Sequence, residues 1–176
     1  CFRCFSGPIE DMKKDSGLTA EDAPPPPPGC SINPEFGSPV TLASTPPPAR
    51  KKRVLVVGGG AAGLQAAVTA AKRGHSVTLA EQANRLGGVL KFARYDAHKT
   101  RFLDLCDTYA YELEQAGGTL LLNTKVDQAF LEGFDPDAVI IAVGSSPIHP
   151  AIPGLDEPQV VDGIDAYAPG AVPGDP

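Results

Sequence analysis

The chain has 176 residues, 42% of them hydrophobic and 20% charged, with a formal net charge of -6. This is the composition of one ordinary globular domain, and its acidic balance argues against a general nucleic-acid or anionic-membrane surface. The longest apolar runs, residues 54–57 and 138–143, fall far short of the roughly 20 residues of a membrane-spanning helix, so a cytoplasmic protein is expected. The chain opens at Cys1 with no charged leader before an apolar stretch, so it offers no signal peptide to read, and it is expected to be an internal piece of a longer protein.

Proline divides the chain. Eleven of the 19 prolines lie at or before Pro48, eight lie at or after Pro136, and none falls between. The run of five at residues 24–28 and the triplet at 46–48 lack amide donors and have fixed φ, so they read as polyproline spacers. Residues 1–49 are therefore expected to form a loop-rich, Pro-rich arm. It carries Cys1, Cys4 and Cys30, a spacing compatible with a zinc half-site, an iron–sulfur ligand set or a redox pair.

After four basic residues, Arg50 to Arg53, residues 54–57 form a β-rich apolar run suited to a buried parallel strand. Gly58, Gly59 and Gly60 break it, residues 61–73 are alanine-rich and proline-free, and Gly74 is placed to cap the helix they predict. Residues 76–80 read as the next strand, completing a β-α-β unit in about 30 residues. Further on, Phe102, Leu105, Cys106, Tyr109, Leu113 and Ala116 recur at helical spacing, and Gly117 with Gly118 ends that helix. Cys106 on this apolar stripe reads as a core thiol. Residues 119–122 predict a short strand and residues 137–143 a central parallel one, after a turn at Asp135-Pro136.

Gly58, Gly60 and Gly63 carry the chemistry. A phosphate-binding strand-to-helix turn needs a first glycine to turn sharply, a second to admit a diphosphate, and a third to let the helix approach the sheet. The helix amides of Ala61 and Ala62, with the positive end of the helix dipole, would face that diphosphate. Glu81, at the end of the second predicted strand, stands where an acid meets a ribose hydroxyl. His75, His98 and His149 have no triad or metal spacing and read as surface or loop residues, and the basic cluster at 50–53 reads as a solvated face or a contact to the sheet's edge.

Together with Arg85-Leu86-Gly87-Gly88 and the later run 142–147, Ala-Val-Gly-Ser-Ser-Pro, this unit resembles the FAD-binding half of the two-dinucleotide-domain flavoprotein reductases. Val143 stands where that family often has threonine. The words Cys-Phe-Arg-Cys-Phe at 1–5 and Cys-Ser-Ile-Asn-Pro-Glu-Phe-Gly at 30–37 resemble the [4Fe-4S] segment of the old-yellow-enzyme-like iron–sulfur flavoproteins. That family includes 2,4-dienoyl-CoA reductase, trimethylamine dehydrogenase and bile-acid-type enoate reductases.

The resemblance implies an α/β fold: a Rossmann-like FAD-binding β-α-β domain over residues 50–155, a cysteine arm and linker over 1–49, and a connector over 156–176. It implies flavin contacts at Gly58, Gly60, Ala61, Ala62, Gly63, Glu81, Gln82, Arg85, Gly87, Gly88, Val126, Ala142 and Gly144. Cys1, Cys4 and Cys30 would be the second, third and fourth ligands of a [4Fe-4S] cluster, although the Cys4 to Cys30 gap is longer than is usual in the family. The parent chain would add an upstream FMN barrel and a downstream NAD(P)H domain, and would reduce an activated carbon–carbon double bond. Two rival readings are the FAD subunit of a glutamate-synthase-like reductase and a non-catalytic dinucleotide-binding module with a structural zinc arm.

Overall fold

The computed structural model describes residues 4–5, 29–30, 46–96, 99–163 and 165–167. The chain divides into two compact units, Cys1–Pro46 and Pro47–Pro176. In the first, β1 (Cys4–Phe5) pairs antiparallel with β2 (Gly29–Cys30), in a register that sets Cys4 opposite Cys30.

The second unit contains a parallel sheet of four strands. β3 (Arg53–Val57) leads through the glycine turn into α1 (Ala61–Lys72), and β4 (Ser76–Ala80) returns beside β3. After 3-10 turns at Gly88–Tyr95 and Thr100–Leu103, α2 (Asp104–Gln115) leads to β5 (Thr119–Leu121), and α3 (Gln128–Phe134) leads to β6 (Ala138–Ile141). The strand order is β5-β4-β3-β6. The chain steps outward from β3 on one side and then crosses to β6 on the other, so the carboxyl end of β3 is the switch point at which open α/β sheets bind ligands. This is a Rossmann-like α/β fold.

The core explains why these segments settle where they do. Leu55 and Val56 of β3, Leu64 and Val68 of α1, Leu79 of β4 and Leu113 of α2 are fully buried, each stabilising the fold by about 1.5–3 kcal/mol relative to exposure. α1 packs on β3 and β4, and α2 packs on α1 and β5. Between the helices, Lys72 pairs with Glu112 at 2.8 Å, and the Tyr109 hydroxyl donates to Gln65 Oε1. Gly74 ends α1 in the left-handed region at φ 94°, donating its N–H to Ala71, the conformation expected of a helix-terminating glycine.

Two expectations need correction, and one helix was not anticipated. β6 lies at the edge of the described sheet rather than inside it, since among the described residues it pairs with β3 alone, and Val139 and Ile141 are 40% and 75% exposed. A continuous apolar run identifies a strand but not its place in the sheet order. Phe102 precedes α2 in a 3-10 turn and is exposed, so the buried stripe is Leu105, Cys106, Tyr109 and Leu113. α3 had no apolar periodicity to reveal it; its start is set by Asp127, whose Oδ1 accepts the Phe130 N–H at 2.9 Å, a side-chain N-cap. Among the described residues no helix is long and apolar enough to cross a membrane.

Candidate functional site

The three motif glycines occupy three different environments. Gly58 has φ 106°, and a Cβ there would meet the carbonyl of Ala142, with its carbon at 2.8 Å. A Cβ on Gly63 would run into the Gly58 carbonyl oxygen and lie 3.3 Å from the Ala142 methyl. Gly60 has no heavy atom within 4 Å of its Cβ direction. The first glycine therefore makes the turn, the third lets α1 close on it, and the second faces open space, where a ligand's diphosphate needs the backbone bare.

The start of α1 is equally suggestive. Gly60 is its N-cap in an extended conformation, no side chain caps the helix, and no acid sits in its first turn. The amides of the first helical residues lack partners within the helix itself. At Ala61, Ala62 and Gly63 they stand beside the open ground over Gly60, at the positive end of the helix dipole.

Glu81 is the sole buried charged residue among the described residues, 9% exposed. Its Oε2 accepts the Gly59 N–H at 2.6 Å and its Oε1 accepts the Ala83 N–H at 2.8 Å. Each carboxylate oxygen keeps further lone-pair capacity. The carboxylate is thus fixed against the glycine turn with room left to accept hydroxyl hydrogens.

A second loop lies on the first. The Gly87 N–H donates to the Gly59 carbonyl at 2.8 Å. The Leu86 side chain reaches over Gly59, and the Cβ direction of Gly88 meets Gly60 Cα at 3.4 Å. Gly87 and Gly88, at φ 114° and 52°, adopt the left-handed backbone that this close approach requires. Beneath Gly87 lies the Cys106 sulfur, 3.2 Å from its Cβ direction. Burial, and next the neighbouring Asp107, push the Cys106 thiol up from its ordinary value, which keeps it protonated and unreactive.

The structure brings most of the anticipated residues to one place. Ala142 continues the β6 ladder with its N–H on the Val57 carbonyl at 2.8 Å, below Gly58 and Gly63. Gly144, at φ 76°, follows it with open space around it. Val126 is half-buried in the loop after β5, two residues beyond Thr124, whose N–H donates to the Glu81 carbonyl at 2.9 Å. Gln82 and Arg85 are exposed on the loop following Glu81. Cys4 and Cys30 are paired in register, as residues whose Cα atoms lie about 4.5–5.5 Å apart; Cys1 lies outside the described residues, as does His98. Sequence reading missed the docking of Gly87 on Gly59, for which the Gly-Gly pair was the available signal. His149 pairs with Asp162 at 2.8 Å in the exposed segment after β6, and His75 accepts the Lys52 N–H at 3.2 Å.

A parallel sheet of this order, with a glycine turn at its switch point and an acid ending the second strand, defines a Rossmann-like FAD/NAD-binding domain. Residues 36–95 and 52–169 match the pyridine nucleotide-disulphide oxidoreductase family, and the chain belongs to that family. It is 39% identical over 128 residues to an NADH oxidase of Thermoanaerobacter brockii, covering 73% of this chain and 20% of that protein. It is 36% identical over 95 residues to a cinnamate reductase of Clostridium sporogenes, covering 54% of this chain and 14% of the relative. Among solved structures, a 2-naphthoyl-CoA reductase in complex with 2-naphthoyl-CoA superposes with a TM-score of 0.69 at 33% identity, over 79% of this chain and 21% of the other. The chain thus spans about a fifth or less of these relatives.

Proposed function

We propose that this chain is the FAD-binding part of an old-yellow-enzyme-like iron–sulfur flavoprotein that reduces activated carbon–carbon double bonds at the expense of NAD(P)H. The observation that carries the flavin assignment is the open ground over Gly60, bounded by the uncapped start of α1 and by the fixed Glu81 carboxylate. Bare backbone and helix amides suit a diphosphate, and the carboxylate suits a ribose diol. Gly60, Ala61, Ala62 and Gly63 would hold the diphosphate. Glu81 would accept from the ribose, with Gln82, Arg85 and Val126 lining the adenosine side. Gly58, Gly87, Gly88, Ala142 and Gly144 would shape the cradle by letting backbones close on one another.

The cysteine arm supports the rest of the reading. A 26-residue separation between Cys4 and Cys30 is closed in the β1–β2 register, as two ligands of one cluster require. Cys1 would be the third ligand this chain provides and a residue upstream of it the fourth. Bound there, flavin and cluster would supply the electron chemistry, passing reducing equivalents from NAD(P)H toward FMN and the substrate. The relatives that include a cinnamate reductase and a 2-naphthoyl-CoA reductase favour an unsaturated acid or thioester as that substrate. Residues 1–49 would then be the cluster arm and linker, 50–155 the first half of the flavin domain, and 156–176 the connector to a NAD(P)H domain.

Anaerobic reconstitution of a chain extended upstream of Cys1, with iron, sulfide and flavin analysis and electron paramagnetic resonance of the reduced protein, tests the assignment. Four irons with sulfide and one FAD are expected. Bound zinc without sulfide would replace the electron relay with a dinucleotide-binding module carrying a structural zinc arm.

A further inference from the structure

β6 has little side-chain burial to hold it. Val139 and Ile141 are exposed, and no residue of the strand is fully buried. Where one face is not firmly buried, strand register is weakly specified. Yet the register of β6 matters to the glycine turn, because Ala142 lies against both Gly58 and Gly63. A slip of one residue would bring Ile141 or Val143 to that place, and either side chain is larger than the methyl group already 3.3 Å from the Gly63 Cβ direction.

Polar groups occupy the other end of the strand. The Arg53 N–H donates to Asp137 Oδ2 at 2.7 Å, and the Asp137 N–H donates to the Arg53 carbonyl at 2.8 Å, a reciprocal pair at the first rung of the β3–β6 ladder. Arg50 Nη2 reaches Asp137 Oδ1 at 3.1 Å. The Arg53 guanidinium bonds the Asp135 carbonyl and lies 5.4 Å from the Phe134 ring centre. On the opposite flank of β3, β4 begins with a weaker side-chain contact, Lys52 N–H to His75 Nδ1 at 3.2 Å. That strand has Val77 and Leu79 in the core to hold it.

We propose that Asp137 is a positioning residue for the glycine-turn site: by accepting the Arg53 N–H it pins β6 to β3 in the register that sets Ala142 against Gly58 and Gly63. Its consequence for cofactor affinity rests on the flavin reading above; its consequence for Ala142 does not. A hydrogen bond from a backbone amide to a charged acceptor, discounted for the solvent exposure of Asp137, is strong enough that its loss corresponds to a change of up to about tenfold in an equilibrium constant.

The test is amide hydrogen exchange in the ligand-free chain, joined to FAD titration, for Asp137→Ala, Asp137→Asn and Arg50→Ala. In Asp137→Ala the Ala142 amide is expected to exchange about tenfold faster, with Leu79 in β4 still protected and FAD bound more weakly by a similar factor. Asp137→Asn keeps an oxygen acceptor for Arg53 and should restore most of both. Arg50→Ala removes an exposed ion pair and should change either by less than about twofold. Unchanged exchange at Ala142 would overturn the proposal. So would equal acceleration throughout the sheet or failure of Asp137→Ala to fold, since both mark a purely structural role. Faster exchange at Ala142 with undiminished FAD affinity would also overturn it. A wild-type chain that binds no FAD refutes the flavin reading instead, and the exchange rates then decide the role of Asp137 by themselves.

Discussion

β3 and β6 are neighbours in one sheet, paired over four residues, and are held by opposite means. In β3, Val54, Leu55 and Val56 are all buried, so the strand is fixed by the apolar core. β6 presents Val139 and Ile141 outward and is fixed by its hydrogen-bond ladder and by polar contacts at Asp137. The candidate site forms where the two strands end, with Gly58 just past one and Ala142 just past the other. A cradle made of bare backbone has no side chains of its own to hold its shape, so its geometry is inherited from the strands that deliver it.

The largest expected effect comes from joining the two strands badly. Gly58→Ala places a methyl group against the Ala142 carbonyl at φ 106°, combining left-handed strain with overpacking, and should destabilise the unit by about 2–6 kcal/mol in urea unfolding. Next comes the core under the site. Leu64→Ala in α1, at a fully buried position, should cost about 2–5 kcal/mol. Ile141→Ala on β6, three-quarters exposed, should stay within about 0.5 kcal/mol. Equal costs for Leu64 and Ile141 would break the contrast between the apolar core under β3 and the exposed β6.

Smaller effects sharpen it. Glu81→Gln offers one acceptor oxygen to two backbone donors, Gly59 and Ala83. Leaving one of them facing an amide N–H should cost about 1–3 kcal/mol, read by thermal unfolding with and without FAD. The smallest effect is acidic. The Arg53 backbone N–H, and then the Arg50 charge, hold the Asp137 carboxyl below its ordinary value of 3.8. A carboxylate with a depressed folded-state pKa contributes stability that is complete above its unfolded value. That contribution is lost as pH falls below about 4 and through the folded value. Wild type and Asp137→Asn should therefore differ in the slope of stability against pH only in that acidic range.

Much of this organisation was legible in the residues. The run at 54–57, the glycine spacing and the alanine-rich segment predict β3, the turn and α1, because alternatives for each residue type are few there. What was not legible depends on long-range partners. The place of β6 at the edge of the described sheet is decided by which strands pair with it, which a β-branched run does not reveal. The docking of Gly87 on Gly59 is a backbone contact between segments 28 residues apart in sequence, and a Gly-Gly pair signals only that some close approach occurs. Asp137 reads as the first residue of the strand that follows the turn at Asp135-Pro136; its acceptor role appears only once Arg53 lies beside it.

The most direct test of the central claim is FAD titration of the folded chain against its Gly60→Val variant. Gly60 has an ordinary φ of -75° and no atom within 4 Å of its Cβ direction, so the substitution should leave the chain folded, with a loss of about 1 kcal/mol for the poorer N-cap. FAD binding should nevertheless be abolished, because the isopropyl group fills the ground assigned to the diphosphate. Wild-type FAD affinity in a folded Gly60→Val chain would contradict the account.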